Sequence, residues 1–339
     1  MEFAITFKGD IAPKRTVNLA KMAEQAGFRY AWFFDSHVLW RDCYVTMAMC
    51  MEHTSSLRFG PCVTNPGVRD WSVAASLFGT LALDSGGRFD MGVGRGDSSR
   101  RVLGKRPMTL ENMVEFIDAV KRMIRGEPVR YEEDLNEVQF PWANGYDMPA
   151  WIAAYGPKAL KTAGEAGDGL IIQLADPWLV KWFTDQALSA GKLAGRSMTD
   201  YKVMSAAPVW VGDINKAREQ TRWFPAMVGN HVADIVEKYG RDGAADIPTR
   251  LTAYIEGRKG YDYRHHADKN ADHLGFIADD IVDSFGILGP VEAHVEKLHA
   301  LEQAGVTQFN IYLMCGDEER IVEEYGKHIL PQFAQPVKR

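Results

Sequence analysis

Short apolar runs and longer amphipathic ones alternate along the chain. Residues 2–7 read as a strand. From Pro13 to Ala26 the apolar positions Val17, Leu19, Ala20, Ala23 and Ala26 recur at helical spacing, and Gly27 follows as a stop signal. The same alternation predicts strands at Tyr30 to Phe34, 57–63, Phe89 to Val93, Trp151 to Ala154, Gly169 to Gln173, Tyr201 to Val211 and Gln308 to Leu313. Helices are predicted at 44–53, Trp71 to Leu83, Leu110 to Ile124 (closed by Gly126) and Pro157 to Ala166. Several runs, such as Gly169-Leu170-Ile171-Ile172, are apolar throughout, as expected of parallel strands covered on both faces.

Eight short strands separated by helices predict an α/β fold of the TIM (β/α)8 type. A doubly wound sheet is the alternative, but the GxGxxG turn expected after its first strand is missing. The interval between the seventh and eighth strands is too long for one crossover. Residues 213–290, which include Tyr261-Asp262-Tyr263-Arg264-His265-His266, read as a helical insertion near the barrel mouth. It is either a lid, a surface elaboration or a subunit contact.

Composition narrows the function classes. The chain has 339 residues, 46% hydrophobic and 25% charged, in the range of a globular protein. A net charge of −6 argues against nucleic acid as the main partner. Cys43, Cys50, Cys62 and Cys315 form no CxxC pair, which suits buried thiols in a reducing, cytoplasmic setting. The first residues read as a strand, not a signal peptide, and no apolar run approaches the ~18 residues of a membrane span.

Candidate chemistry collects where the predicted strands end. Asp35-Ser36-His37 follows the second strand; His37 is placed to donate or shuttle a proton, Asp35 to orient it or bind a ring edge, and Trp40 to wall a planar ligand. Val63-Thr64-Asn65-Pro66 follows the third and offers short donors and acceptors for a heterocycle, although Asn-Pro is also turn chemistry. Gly94-Arg95-Gly96-Asp97 follows the fourth and permits close backbone approach. Arg95, Arg100, Arg101, Lys105 and Arg106 cluster beyond it, suited to a phosphate or an anionic tail. Tyr155-Gly156-Pro157-Lys158 follows the fifth and opens a helix, so free N–H groups and the helix dipole point outward. His265-His266 lacks carboxylates at ligand spacing, so no metal is expected.

As a set these residues resemble the bacterial luciferase-like superfamily of flavin- and deazaflavin-dependent oxidoreductases, nearest the branch that includes methylenetetrahydromethanopterin reductase. Further matching pieces are Ala26-Gly27-Phe28, Asp84-Ser85-Gly86-Gly87-Arg88, Leu103-Gly104, Ala163-Gly164-Glu165-Ala166-Gly167-Asp168-Gly169, Gly289 and Ala304-Gly305-Val306. Two departures are Ser36, directly before His37 where many deazaflavin enzymes have Asp, and Tyr155, where Ser or Gln is frequent.

The resemblance implies one luciferase-like barrel over residues 1–335, assembled as a homodimer or higher oligomer. It implies FMN or coenzyme F420 at the carboxyl ends of the strands. The ring would lie over a bulge at Val63-Thr64-Asn65, with a non-proline cis peptide near Pro61-Cys62-Val63. The phosphate would rest on Tyr155-Gly156-Pro157-Lys158 and the Gly94-to-Asp97 loop, and His37 would face the ring. Of the two cofactors the reading adopted is reduced FMN, supplied by a separate flavin reductase, in a two-component monooxygenase acting on a small organic substrate. The alternatives are a coenzyme F420-dependent hydride-transfer reductase or dehydrogenase, and a flavin-binding protein without turnover.

Overall fold

Eight parallel strands, each followed by a turn into a helix or an excursion, put every candidate loop on one rim. The computed structural model describes residues 1–130, 136–229 and 277–334. Most of the expected insertion, 230–276 with His265 and His266, lies outside them. The strands are β1 (Glu2–Phe7), β2 (Tyr30–Phe33), β3 (Arg58–Pro61), β4 (Met91–Val93), β5 (Val129–Arg130), β6 (Glu137–Val138), β7 (Ala150–Ala153), β8 (Gly169–Ile172), β9 (Lys202–Ala207), β10 (Val209–Val211), β11 (Ile287–Gly289) and β12 (Gln308–Tyr312).

The main sheet runs β3-β2-β1-β12-β9-β8-β7-β4, all pairs parallel. Bridges Phe59 to Phe89 and Thr64 to Val93 join β3 to the β4 segment and close the barrel. Closure there is tight. A Cβ on Gly92 would stand 2.1 Å from the Pro61 carbonyl oxygen, and one on Gly60 2.2 Å from that of Asp90. Only glycine lets the two backbones approach so closely.

Side chains fill the barrel interior. Successive strand residues alternate faces, so Tyr30 and Trp32 of β2 point inward together and stack at 5.5 Å, with Trp151 of β7 edge-on to both. Both indole N–H groups of this layer are partnered: Trp32 Nε1 donates to Gln308 at 2.9 Å and Trp151 Nε1 to Asp90 at 2.9 Å, while Gln308 Nε2 is buried without a partner among the described residues. Arg58 completes the layer by pairing with Asp90. Burial is the largest influence on the Asp90 carboxyl and raises its pKa, against the pull of Arg58. Outside the barrel, the helix Pro13–Ala26 ends as its sequence predicts. Gly27 adopts φ +97° and its N–H caps the carbonyls of Ala23 and Glu24.

The predicted seventh strand is broken in two. Pro208 has no N–H to continue the ladder, and the chain steps from β9 to β10, which pairs with β11 in a separate two-stranded parallel sheet. A β5–β6 hairpin and the helices Asp97–Arg101, Pro177–Leu193 and Val291–Gln303 also lie where no element was expected. Among the described residues no helix is long and apolar enough to cross a membrane.

Candidate active site

A cavity of about 330 Å³ opens at the carboxyl-terminal rim. Much of its lining comes from the ends of strands and the first residues after them, where parallel-strand folds place their sites. Ser36 comes from the end of β2, Cys62 and Val63 from β3, Gly94 to Asp97 from β4, Ala153 to Gly156 and Lys158 from β7, and Gln173 from β8. Cys62–Val63 is a cis peptide between non-proline residues, at the predicted bulge. Burial pushes the Cys62 thiol up to about 12, so it stays protonated and unreactive at neutral pH.

The floor is made of small groups. Gly94 lies under the Val63 side chain, where a Cβ would meet Val63 Cγ2 at 2.8 Å and Ala153 Cβ at 3.8 Å. Gly96 turns the chain with φ +81° and has no room for a side chain, since a Cβ would stand 2.5 Å from the Asn65 amide. Gly156 is different. Its backbone is extended (φ −83°, ψ 154°), and a Cβ there would meet nothing within 4 Å. The space above it is open, and it caps the helix Pro157–Ala166 with no side chain over the first N–H groups. A helix start left open beside Lys158 and Arg95 is a site for an anion. A flat ring with an anionic tail therefore fits: small residues beneath the ring, and an open helix N-terminus with cations at the tail.

The predicted residues divide by what their side chains touch. Asp35, Val63, Gly94, Arg95, Gly96, Asp97, Tyr155, Gly156 and Lys158 all line the cavity. Thr64 and Asn65 are buried beneath it and brace the bulge: Thr64 Oγ1 donates to Asp35 at 2.7 Å, and Asn65 Nδ2 donates to Ser99 at 2.9 Å. Asp35 also accepts from Tyr44 and Arg69, so its carboxylate is engaged below the cavity. Asp97 pairs with Arg101 one helical turn on. Pro157 is the first helical residue, and Trp40 packs against Phe34 at 5.4 Å, behind the lining. His37 is exposed on the rim, one residue beyond Ser36.

Four polar lining residues, Ser36, Ser98, Ser99 and Gln173, were not among the predicted site residues. Ser36 and Ser98 share a hydrogen bond of 2.7 Å. Gln173, the first polar residue after the apolar run of β8, bonds both Tyr155 and Tyr312. Its signal was the same as at the other strand ends, a polar residue closing an apolar run. Among the described residues no group of three or more His, Cys, Asp or Glu side chains is gathered to hold a metal.

Comparison with known proteins places this geometry. The chain is 30% identical to the 5,10-methylenetetrahydromethanopterin reductase of Methanolobus tindarius, over 97% of this chain and 100% of the relative. It is 28% identical to the enzyme of the same name from Archaeoglobus fulgidus, over 98% of this chain and 100% of the relative. The solved coenzyme F420 dependent tetrahydromethanopterin reductase from Methanopyrus kandleri superposes with a TM-score of 0.79 at 26% identity, covering 98% of this chain and 99% of the other. These relatives correct the expected activity. An FMN monooxygenase fed by a flavin reductase is overturned by full-length likeness to reductases, one of them described as dependent on coenzyme F420. The motifs at the strand ends pointed to the right family, fold and branch, but short Gly, Asn and Lys loops at strand ends do not by themselves distinguish flavin from deazaflavin. Residues 1–308 match the family described as luciferase-like monooxygenase, and this barrel of oxidoreductase type belongs to that family.

Proposed function

We propose that the chain is a coenzyme F420-dependent oxidoreductase that moves a hydride between the deazaflavin and a small organic substrate. The observation that carries this is end-to-end similarity, in sequence and in fold, to reductases of which one is described as coenzyme F420 dependent. The small-residue floor and open helix start described above suit such a ligand. When bound, the deazaflavin supplies two-electron hydride chemistry; the protein supplies orientation, exclusion of water and electrostatics.

In this reading each residue has a physical task. The N–H groups at the start of the helix Pro157–Ala166 hold the phosphate, with Lys158 and Arg95 adding positive charge. Val63 and Gly94 form the surface under the ring, and Thr64 and Asn65 hold that surface in shape from below. Asp35 is the anchor of Thr64. His37, on the rim, donates or accepts the proton that accompanies hydride transfer to the substrate. Trp40 backs Phe34 at the cavity wall. The barrel of residues 1–335 acts as one domain, and it assembles with further copies of itself.

The test is direct binding. Purified protein is titrated with F420 and, separately, with FMN, following the fluorescence of each. Retention of F420 in preference to FMN is expected. Binding of FMN with no binding of F420 overturns the proposal.

A further inference from the structure

We infer that Gln173 is a ligand-reading residue of the cavity, presenting one N–H donor and one carbonyl lone pair to a ligand edge in which an N–H adjoins a C=O. The inference rests on the reading of this cavity as an F420 site, and it follows from how the amide is held. Tyr155 Oη accepts the backbone N–H of Gln173 at 3.1 Å. Its own hydrogen then goes to the Gln173 side chain at 2.7 Å. With that hydrogen on Oε1, the two phenols set the orientation of the amide. The nitrogen therefore faces Tyr312, and Nε2 donates to its hydroxyl at 2.6 Å.

Both tyrosines are fixed. Tyr155 lies edge-on to Phe183, and Tyr312 is wedged edge-on between Phe34 and Phe224. Tyr312 is fully buried, and desolvation raises the pKa of both phenols, so they remain neutral. An amide has two donor and two acceptor positions. Among the described residues one of each is taken by the tyrosines, which leaves one of each on a half-buried side chain that lines the cavity. A fixed donor beside a fixed acceptor complements a cyclic amide, and it rejects a ligand edge that offers two donors or two acceptors.

The position matters as much as the chemistry. The small-residue floor lies on the β3, β4 and β7 side. Gln173 follows β8 and reaches past the end of β9 to Tyr312 in β12. It stands on the β8 side of the cavity, away from that floor. The same cyclic-amide edge could belong to the pyrimidinedione of the cofactor or to a heterocyclic substrate.

The experiment separates these sources. F420 is titrated into wild type, Gln173→Glu and Gln173→Leu, and each F420-loaded protein is then examined with millimolar uracil, a minimal cyclic-amide probe, by saturation-transfer NMR. Gln173→Glu keeps acceptors for Tyr155 and for a rotated Tyr312 hydroxyl, so the fold is preserved while the donor is lost. If the partner is the cofactor edge, the Kd for F420 rises about tenfold or more in both variants. If it is the second reactant, F420 affinity stays within twofold and the wild-type uracil signal disappears in both. Equal F420 affinity with no difference in the uracil signal overturns the inference and leaves the F420 assignment standing. A wild type that binds no F420 removes the assignment and the inference with it.

Discussion

Arg69 and Asp35 form a largely buried ion pair, Nη1 to Oδ2 at 2.6 Å, with side-chain exposures of 15% and 2%. The same carboxylate oxygen accepts from Thr64 at 2.7 Å and Tyr44 at 3.0 Å. Arg69 also stacks over the Tyr44 ring and reaches Asp42, which caps the helix Cys43–Glu52. One carboxylate thus ties the end of β2 to the bulge after β3 and to the next helix. Asp35→Ala leaves a guanidinium and two hydroxyls without their acceptor and is expected to destabilise the protein by about 3 kcal/mol. Urea denaturation measures this. A variant as stable as wild type that has nevertheless lost turnover would return Asp35 to direct chemistry.

Two glycines of the same barrel end should respond oppositely. Gly156 has an ordinary extended backbone and open space where a Cβ would go, so Gly156→Leu is expected to cost no more than the loss of a glycine N-cap, about 1 kcal/mol. Its side chain would occupy the approach to the helix start, and affinity for F420 should fall at least tenfold by the blocked anion contact. Gly92→Ala drives a methyl into the Pro61 carbonyl and should cost about 3 kcal/mol. Calorimetry beside F420 titration checks both. A Gly156→Leu variant with unchanged affinity places the phosphate elsewhere.

Much of the barrel was legible because its signals are local. Apolar runs such as Gly169–Ile172 end abruptly in polar residues, and Gly27 and Gly126 close their helices. The helix Pro177–Leu193 was missed although Asp176 caps it and Pro177 opens it, because its small and aromatic residues blur the amphipathic stripe. The break at Pro208 depends on a partner strand, β11, about 80 residues away in sequence, which no local pattern reveals. In the site, backbone-permissive glycines were readable, whereas Gln173 gains meaning only from Tyr155 and Tyr312, which adjoin it only in the fold. The engagement of Asp35 by Arg69 is likewise a tertiary fact.

His294 provides a pH dependence with a definite sign. It is fully buried; its Nε2 faces the Trp210 carbonyl at 3.1 Å and its Nδ1 the Tyr325 hydroxyl at 2.8 Å. A carbonyl only accepts, so the hydrogen sits on Nε2 and Nδ1 accepts from Tyr325. Burial first, opposed by the hydrogen bonds to Trp210 and Gly289 and aided by Lys297, lowers its pKa to about 4. The folded state therefore binds this proton less readily than the unfolded chain. Stability from this group is complete above the unfolded pKa near 6.5 and declines as pH falls toward 4, by about 3 kcal/mol in all. Urea titrations at pH 7 and pH 4.5 on wild type and His294→Gln should show a smaller loss in the variant. An equal loss in both assigns the acid sensitivity to other groups.

His37 is the residue whose role is chemical if the proposed function holds. It is exposed at the rim, and among the described residues no hydrogen bond or ion pair holds its ring, so its removal leaves no buried partner behind. Ser36, beside it, lines the cavity and is held by Ser98, which brings the His37 backbone to the cavity mouth while leaving the imidazole free to turn toward a bound substrate. His37→Ala is accordingly expected to fold as wild type and to bind F420 within twofold. Turnover, with whichever substrate the wild type accepts from a panel of aldehydes, imines and alcohols, should fall roughly a hundredfold, as when a positioned acid or base is lost. Added imidazole should restore part of the rate, since the missing group is a proton carrier and the space it vacates is open to solvent. Serine at the same position should not rescue, because its hydroxyl does not ionise near neutral pH. Near-normal turnover in His37→Ala would assign the proton to another group at the mouth and make His37 an ordinary surface residue.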